Sequence, residues 1–161
     1  MTVVGVRKDL GAATITFVAE FDAPPERVWQ VWEDPRQLER WWGPPTWPAT
    51  YTKHDFVVGG TSQYHMTGPD GTEAHGWLRY TALDAAKSLA LVDGFADETG
   101  RENPDLPTSD MRATFDTIDG GTRMTLVTVY PNAEALTTVL EMGMEEGMTA
   151  ALGQIEAVIA G

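Results

Sequence analysis

Tyr64, Tyr80 and Thr128 are polar residues on strand faces of this 161-residue chain that otherwise read as apolar. A phenol or hydroxyl in such a setting can orient a bound organic molecule, and a tyrosine can also act as an acid that polarises a carbonyl. Met66, Met111, Met124, Met144 and Met148 fall on the same faces or on the helix opposite them. Thioethers adapt to irregular shapes, so these methionines suit either the walls of a pocket or the filling of a solid core. Other chemistries lack their residues. His54, His65 and His75 lie in different strand segments without a carboxylate cluster at ligand spacing, so no metal site is expected, and the His65/His75 cross-strand pair reads as a solvated outer-face pair. The chain has no cysteine, which excludes disulfides, thiol catalysis and thiolate ligands. Gly-x-Ser-x-Gly is absent, and Gly59-Gly60 lacks the Lys and Ser or Thr of a phosphate loop. No catalytic residue and no cofactor is assigned.

The elements that must position these groups are legible from periodicity. Ala13 to Phe21 alternates, with Ile15, Phe17, Ala19 and Phe21 on one side, as in a half-buried strand. Thr50 to Val58 reads as strand two, and strand three starts near Thr61 after Gly59-Gly60. Gly68-Pro69-Asp70-Gly71 is a bulged hairpin loop in which Pro presets the first corner and Gly takes the left-handed position. If Gly68 pairs with Thr72, Met66 faces Ala74, His65 faces His75, Tyr64 faces Gly76 and Ser62 faces Leu78. That register places Ser62, Tyr64, Met66, Leu78 and Tyr80 inward and Trp77 outward, where an exposed aromatic could mark a self-association surface. Ser88 to Val92 forms strand five, Gly94 to Pro107 a long loop, Met111, Ala113 and Phe115 alternate in strand six, and Met124, Leu126, Thr128 and Tyr130 alternate in strand seven. From residue 134 to 160, Leu136, Leu140, Met144, Met148, Ala151, Ile155 and Ile159 form one apolar arc, predicting a single long amphipathic helix against the sheet. Gly143 and Gly147 within it mark either a bend or simple tolerance.

Residues 21–56 hold Trp29, Trp32, Trp41, Trp42 and Trp47. Pro25 after Asp22, and Pro35 after Asp34, each predict a helix start, and Gly43-Pro44-Pro45 ends the second short helix. The run FDAPPERVWQVWEDPRQLERWWGP, followed by HDFVVGGTSQYHMTGPDGTE, resembles the Hsp90-ATPase-activator-homologue branch of the START/Bet v 1-like superfamily. The resemblance covers nearly the whole chain. It implies an α+β helix-grip fold: a curved seven-stranded antiparallel sheet wrapped on a long C-terminal helix, with two short helices between strands one and two, in a single domain over 1–161. Periodicity alone supports α+β with an antiparallel sheet packed on a helix.

Formal net charge is -13, so the field repels phosphate backbones and no nucleic-acid partner is expected. No apolar run is long enough to span a bilayer and the N-terminus lacks a signal-peptide core, so a cytoplasmic protein without membrane insertion is expected. The resemblance implies binding of a lipid- or polyketide-like hydrophobic small molecule between sheet and helix. The pocket is expected to draw on Trp42, Tyr64, Met66, Leu78, Tyr80, Met111, Phe115, Met124, Leu126, Met144 and Met148. Two alternatives stay open: a cyclase or hydratase using a pocket tyrosine, and a protein-interaction or Hsp90-co-chaperone-like module, including a homodimer. Relatives that stimulate the Hsp90 ATPase pair such a domain with a separate N-terminal one, and none precedes strand one here. In Glu146-Gly147-Met148 the family often has tryptophan after the glycine, so a flexible wall replaces a rigid one.

Overall fold

A computed structural model of the chain describes residues 3–161. Eight strands form one antiparallel sheet: β1 (Val3–Asp9), β2 (Thr14–Phe21), β3 (Ala49–His54), β4 (Thr61–Thr67), β5 (Glu73–Asp84), β6 (Ser88–Ala96), β7 (Ser109–Ile118) and β8 (Gly121–Val129). Their spatial order is β1-β2-β8-β7-β6-β5-β4-β3. The expected count of seven is therefore corrected to eight. The added strand, β1, pairs with β2 from Val3↔Ala19 to Asp9↔Thr14 with a bulge between Val3 and Gly5. It was invisible because most of its residues face solvent, so it carries no alternation to read. Strand two is shorter than expected and ends at His54, whereas the strand at Ser88 continues past Val92 to Ala96.

Between β2 and β3 lie α1 (Pro25–Glu33) and α2 (Pro35–Trp41). Helix α1 starts at the predicted proline, but its N-cap is Pro24 without a side-chain hydrogen bond, so Asp22 does not cap it. Asp34 does cap α2, accepting from the Arg36 amide at 2.9 Å, which satisfies one of the free amides of that first turn. The apolar faces of α1 and α2 carry Val28, Val31, Trp32, Leu38 and Trp41, all buried. Trp32 and Trp41 meet edge to face at 4.9 Å, and the Trp41 indole donates to the Val31 carbonyl at 2.9 Å. The geometry is the one aromatic quadrupoles favour.

The single long C-terminal helix is corrected to three pieces: α3 (Ala133–Glu141), α4 (Met144–Leu152) and α5 (Ile155–Ala160). Gly143 adopts φ +87, a left-handed conformation, which costs an L side chain energy and costs glycine none. The Met142 amide bonds back to both Thr138 and Val139 carbonyls at 3.2 Å, closing α3 before the chain turns. At Gly153 and Gln154 the backbone keeps helical angles, so α5 continues α4 with a kink. Gln154 Nε2 donates to the Gly43 carbonyl at 2.6 Å, and Arg27 donates to the Val158 carbonyl at 3.0 Å. These bonds fasten α5 to α1 and to the end of α2. One end of the sheet is thereby filled solid, with Ile15, Phe17, Leu126, Met124, Phe115 and Ile155 buried together. The other end lies under the α3–α4 break. No helix among the described residues is long and apolar enough to cross a membrane.

Candidate functional site

The β4–β5 hairpin has the register read from its turn: Met66↔Ala74, His65↔His75, Tyr64↔Gly76 and Ser62↔Leu78. The Gly68 amide bonds to the Thr72 carbonyl at 2.8 Å and closes the loop. Across this pair, Gly76 leaves room for the Tyr64 ring, since a Cβ on Gly76 would run into the ring and its hydroxyl. The next cross-strand step carries the same register into β6, where Leu78 faces Asp93 and Gly76 faces Phe95. Asp93 thus points to the inner side of the sheet, opposite Ser109 of β7.

These residues border a cavity of about 720 Å³, within the size range of small-molecule pockets. Its floor is Tyr64, Met66, Ala74, Asp93, Phe95 and Ser109 of the sheet with Tyr130 just beyond β8. One wall is Trp42, Pro44, Pro45 and Trp47 of the loop after α2, and the roof is Val139, Met142, Met144, Glu146 and Met148. The break at Gly143 creates this space. It lifts α4 so that Met144 and Met148 are only partly buried, while Leu152 and Ile155 below them are fully buried. Trp42 meets Tyr64 edge to face at 5.9 Å, and Tyr64 stacks on Tyr51 at 5.1 Å.

A polar group lies on the apolar floor. The Tyr64 hydroxyl donates to Asp93 Oδ1 at 3.3 Å. Burial pushes the Asp93 carboxyl up to about 7, against the Tyr64 hydrogen bond and the Gly94 amide, which hold it down. Desolvation penalises the charged form more than those donors favour it. Burial, and then the Asp93 charge, pushes the Tyr64 hydroxyl well above the ordinary tyrosine value. Tyr130 moves the same way for the same reasons, with Ser109 opposing. An acid poised near neutrality beside a fixed phenol can donate or accept a proton, or hold a polar ligand group.

Of the residues expected at the pocket, Trp42, Tyr64, Met66, Met144 and Met148 line the cavity. Leu78, Tyr80, Met111, Phe115, Met124 and Leu126 do not; they are buried in the solid half of the core, and Phe115 packs edge to face on Trp29 at 5.7 Å. Tyr80 belongs to a separate network. Its hydroxyl meets Ser62 Oγ at 2.7 Å, and Ser62 Oγ meets His54 Nδ1 at 2.8 Å. His54 Nε2 meets the Glu33 carbonyl at 2.9 Å. Ser62 and Tyr80 are sealed from solvent, so the triangle satisfies buried polar groups rather than presenting a nucleophile. Thr128 is likewise buried within the sheet.

Sequence reading missed Asp93, Ser109 and Tyr130. The apolar alternation from Ser88 stops at Val92, one residue before Asp93, whose parity with Leu89 and Leu91 turns it inward. Trp77 does face outward, but it is not exposed. It is 6% accessible, lies over Gly94, where a Cβ would strike its ring, and carries Arg79 above it at 5.3 Å. The only group of donors among the described residues that could hold a metal is His65, Glu73 and His75, whose ligating atoms lie within 4.8 Å of one another. The expected His65/His75 pair is thus joined by a carboxylate, with His75 Nε2 at 3.1 Å from Glu73 Oε1. It lies on the outer side of the hairpin and is not part of the cavity floor.

The family model described as activator of Hsp90 ATPase homolog 1-like protein matches residues 22–160. The solution NMR structure of a protein from Arthrobacter aurescens is 50% identical over 99% of this chain and 92% of that one, with a TM-score of 0.95. The crystal structure of protein Ms6760 from Mycobacterium smegmatis is 50% identical over 97% and 96% of the two chains, with a TM-score of 0.90. The AHSA1 protein from Silicibacter pomeroyi, 22% identical over 92% and 98% of the two chains, shares the fold at a TM-score of 0.73. A search of curated proteins found no match.

Proposed function

This chain belongs to the activator of Hsp90 ATPase homolog 1-like family, and we propose that it binds a hydrophobic small molecule between its sheet and its C-terminal helices. The observation that carries this reading is the cavity of about 720 Å³ beneath the Gly143 break, walled by tryptophans, prolines and methionines. A solid core would have favoured the packing role of the same methionines. The methionine roof suits ligands of varied shape, and the small polar group at Tyr64 and Asp93 would fix their orientation. The chain is read as one domain acting in the cytoplasm without nucleic acid, in keeping with its net charge of -13.

Native mass spectrometry of the purified protein, before and after denaturing extraction, tests this reading. A stoichiometric apolar adduct, or saturable calorimetric binding of a naphthyl probe, is the expected result. A clean mass together with no binding by any apolar probe would overturn it.

A second reading keeps the same cavity but adds proton transfer. It is favoured by one observation: the cavity holds a carboxyl near 7 bonded to a tyrosine, the pairing an acid–base catalyst of cyclase or hydratase type needs. The tyrosine that would serve is Tyr64, since Tyr80 is bonded elsewhere. Turnover that vanishes in Asp93→Asn while ligand binding persists would select this reading. The interaction-module alternative keeps the long loop after β6 as its docking surface but not Trp77, which is covered.

A further inference from the structure

Every ionisable group that lines the cavity is an acid. Asp93 sits on the floor with Tyr64 bonded to it, Glu146 lies on the exposed rim, and Tyr130 lines the same space near enough to feel the Asp93 charge; among the described residues no Lys, Arg or His lines the space. Asp93 has a hydrogen bond from Tyr64 at 3.3 Å but takes part in none of the ion pairs formed among the described residues. A carboxylate in such surroundings is costly to keep ionised without a partner, and a cation placed beside it offsets that cost. The aromatic rings of Trp42, Tyr64 and Tyr130 border the same space, and ring electrons attract ammonium groups. A carboxylate or phosphate headgroup would find the reverse: acidic groups on floor and rim, no cation, and a chain of net charge -13. That disfavours the anionic head common to fatty acids and phospholipids relative to a cationic one.

Resting on the cavity reading above, we infer that the ligand is an apolar amine, with its ammonium group seated at Asp93, Tyr64 and Tyr130 and its aryl or alkyl body against the methionines of the roof. The three ammonium N–H groups match three acceptors, one Asp93 carboxylate oxygen and two tyrosine hydroxyl oxygens. The raised Asp93 carboxyl fits this arrangement, because a bound cation would draw it back to the ionised form. The apolar body supplies affinity, while the ionic end selects among bodies of equal size.

The test uses three probes of matched shape, naphthylethylamine, naphthylethanol and naphthylpropionate, titrated calorimetrically into the purified wild-type chain. A charge-assisted hydrogen bond in the cavity should favour the amine over the alcohol by about tenfold, with the carboxylate weakest. Asp93→Asn, which keeps the side-chain shape, should collapse the amine's advantage over the alcohol to about twofold or less. Equal binding of all three probes, or a preference for the alcohol or the carboxylate, would overturn the inference and leave the cavity reading standing. An amine preference that survives Asp93→Asn would also overturn it, by placing the selecting charge elsewhere. If no probe binds, the cavity reading itself fails and the inference with it. The wild-type series decides the matter even if the variant does not fold.

Discussion

Replacing Asp93 with asparagine should tilt the pH dependence of folding stability. In the folded protein burial pushes this carboxyl up to about 7, while in the unfolded chain it returns to about 3.9. Between those values the native state holds a proton that the unfolded state has released. The unfolded state therefore binds fewer protons, and raising the pH lowers stability. The sign is opposite to that of Asp34, Asp70 and Asp97, whose hydrogen-bonded carboxyls lie below the ordinary value and lend stability that is lost only as the pH falls. Moving a carboxyl from about 3.9 to about 7 corresponds to roughly 4 kcal/mol. Asp93 is part-buried rather than sealed, and solvent reaching the cavity reduces the penalty, so about 2 kcal/mol is the working figure. The groups facing it do not interfere, because Tyr51, Tyr64 and Tyr130 all have hydroxyls pushed up by burial and stay protonated in this range. Urea denaturation of both proteins from about pH 4 to about pH 8 gives the difference in stability, in which all shared titrations cancel. The variant should gain on the wild type by about 2 kcal/mol across that interval. A difference that stays flat within about 0.5 kcal/mol would refute the view of Asp93 as a buried acid without a compensating charge.

Met148→Trp should fill much of the roof, weakening naphthyl-probe binding at least tenfold by calorimetry while leaving the unfolding free energy in urea within about 1 kcal/mol, because the space it enters is already open. Gly76→Ala should push the Tyr64 ring from its seat, lowering stability by about 1–3 kcal/mol in urea and altering the near-ultraviolet circular dichroism of the stacked tyrosines.

The parts of this fold that were legible are those where a local rule has one outcome. Gly68-Pro69-Asp70-Gly71 admits one loop geometry, so the register from Met66↔Ala74 to Ser62↔Leu78 could be written down from four residues. Asp34-Pro35 likewise places the start of α2. Strand alternation identified which side chains point inward, but not how far along each strand the core stays solid. Tyr64 and Tyr80 share a face, yet one borders the cavity and the other lies in the filled half, a distinction decided by where α5 is fastened to Trp41 and Gly43. The helix arc from Leu136 to Ile159 is continuous in sequence, and the left-handed Gly143 breaks it where no apolar position is missing. Asp93 reads as a turn residue by type; its place on the floor follows from pairing with Leu78 and Ser109, which is long-range information.

The outer strands of the sheet are β1 and β3, and an open outer strand is the usual template for amyloid-like stacking or strand exchange. At β3 part of that margin is already taken by α2, the Tyr51 amide donating to Glu39 Oε2 at 2.9 Å and its carbonyl accepting from Arg36 at 3.0 Å. In both strands the ladder to the inner partner is broken by a register shift, between Val3 and Gly5 in β1 and between Tyr51 and Lys53 in β3. Each also carries cations, Arg7 and Lys8 on one side and Lys53 on the other. An irregular, charged margin is a poor surface for another strand to extend. The sheet can therefore remain open enough to surround a cavity without inviting a second chain to finish it.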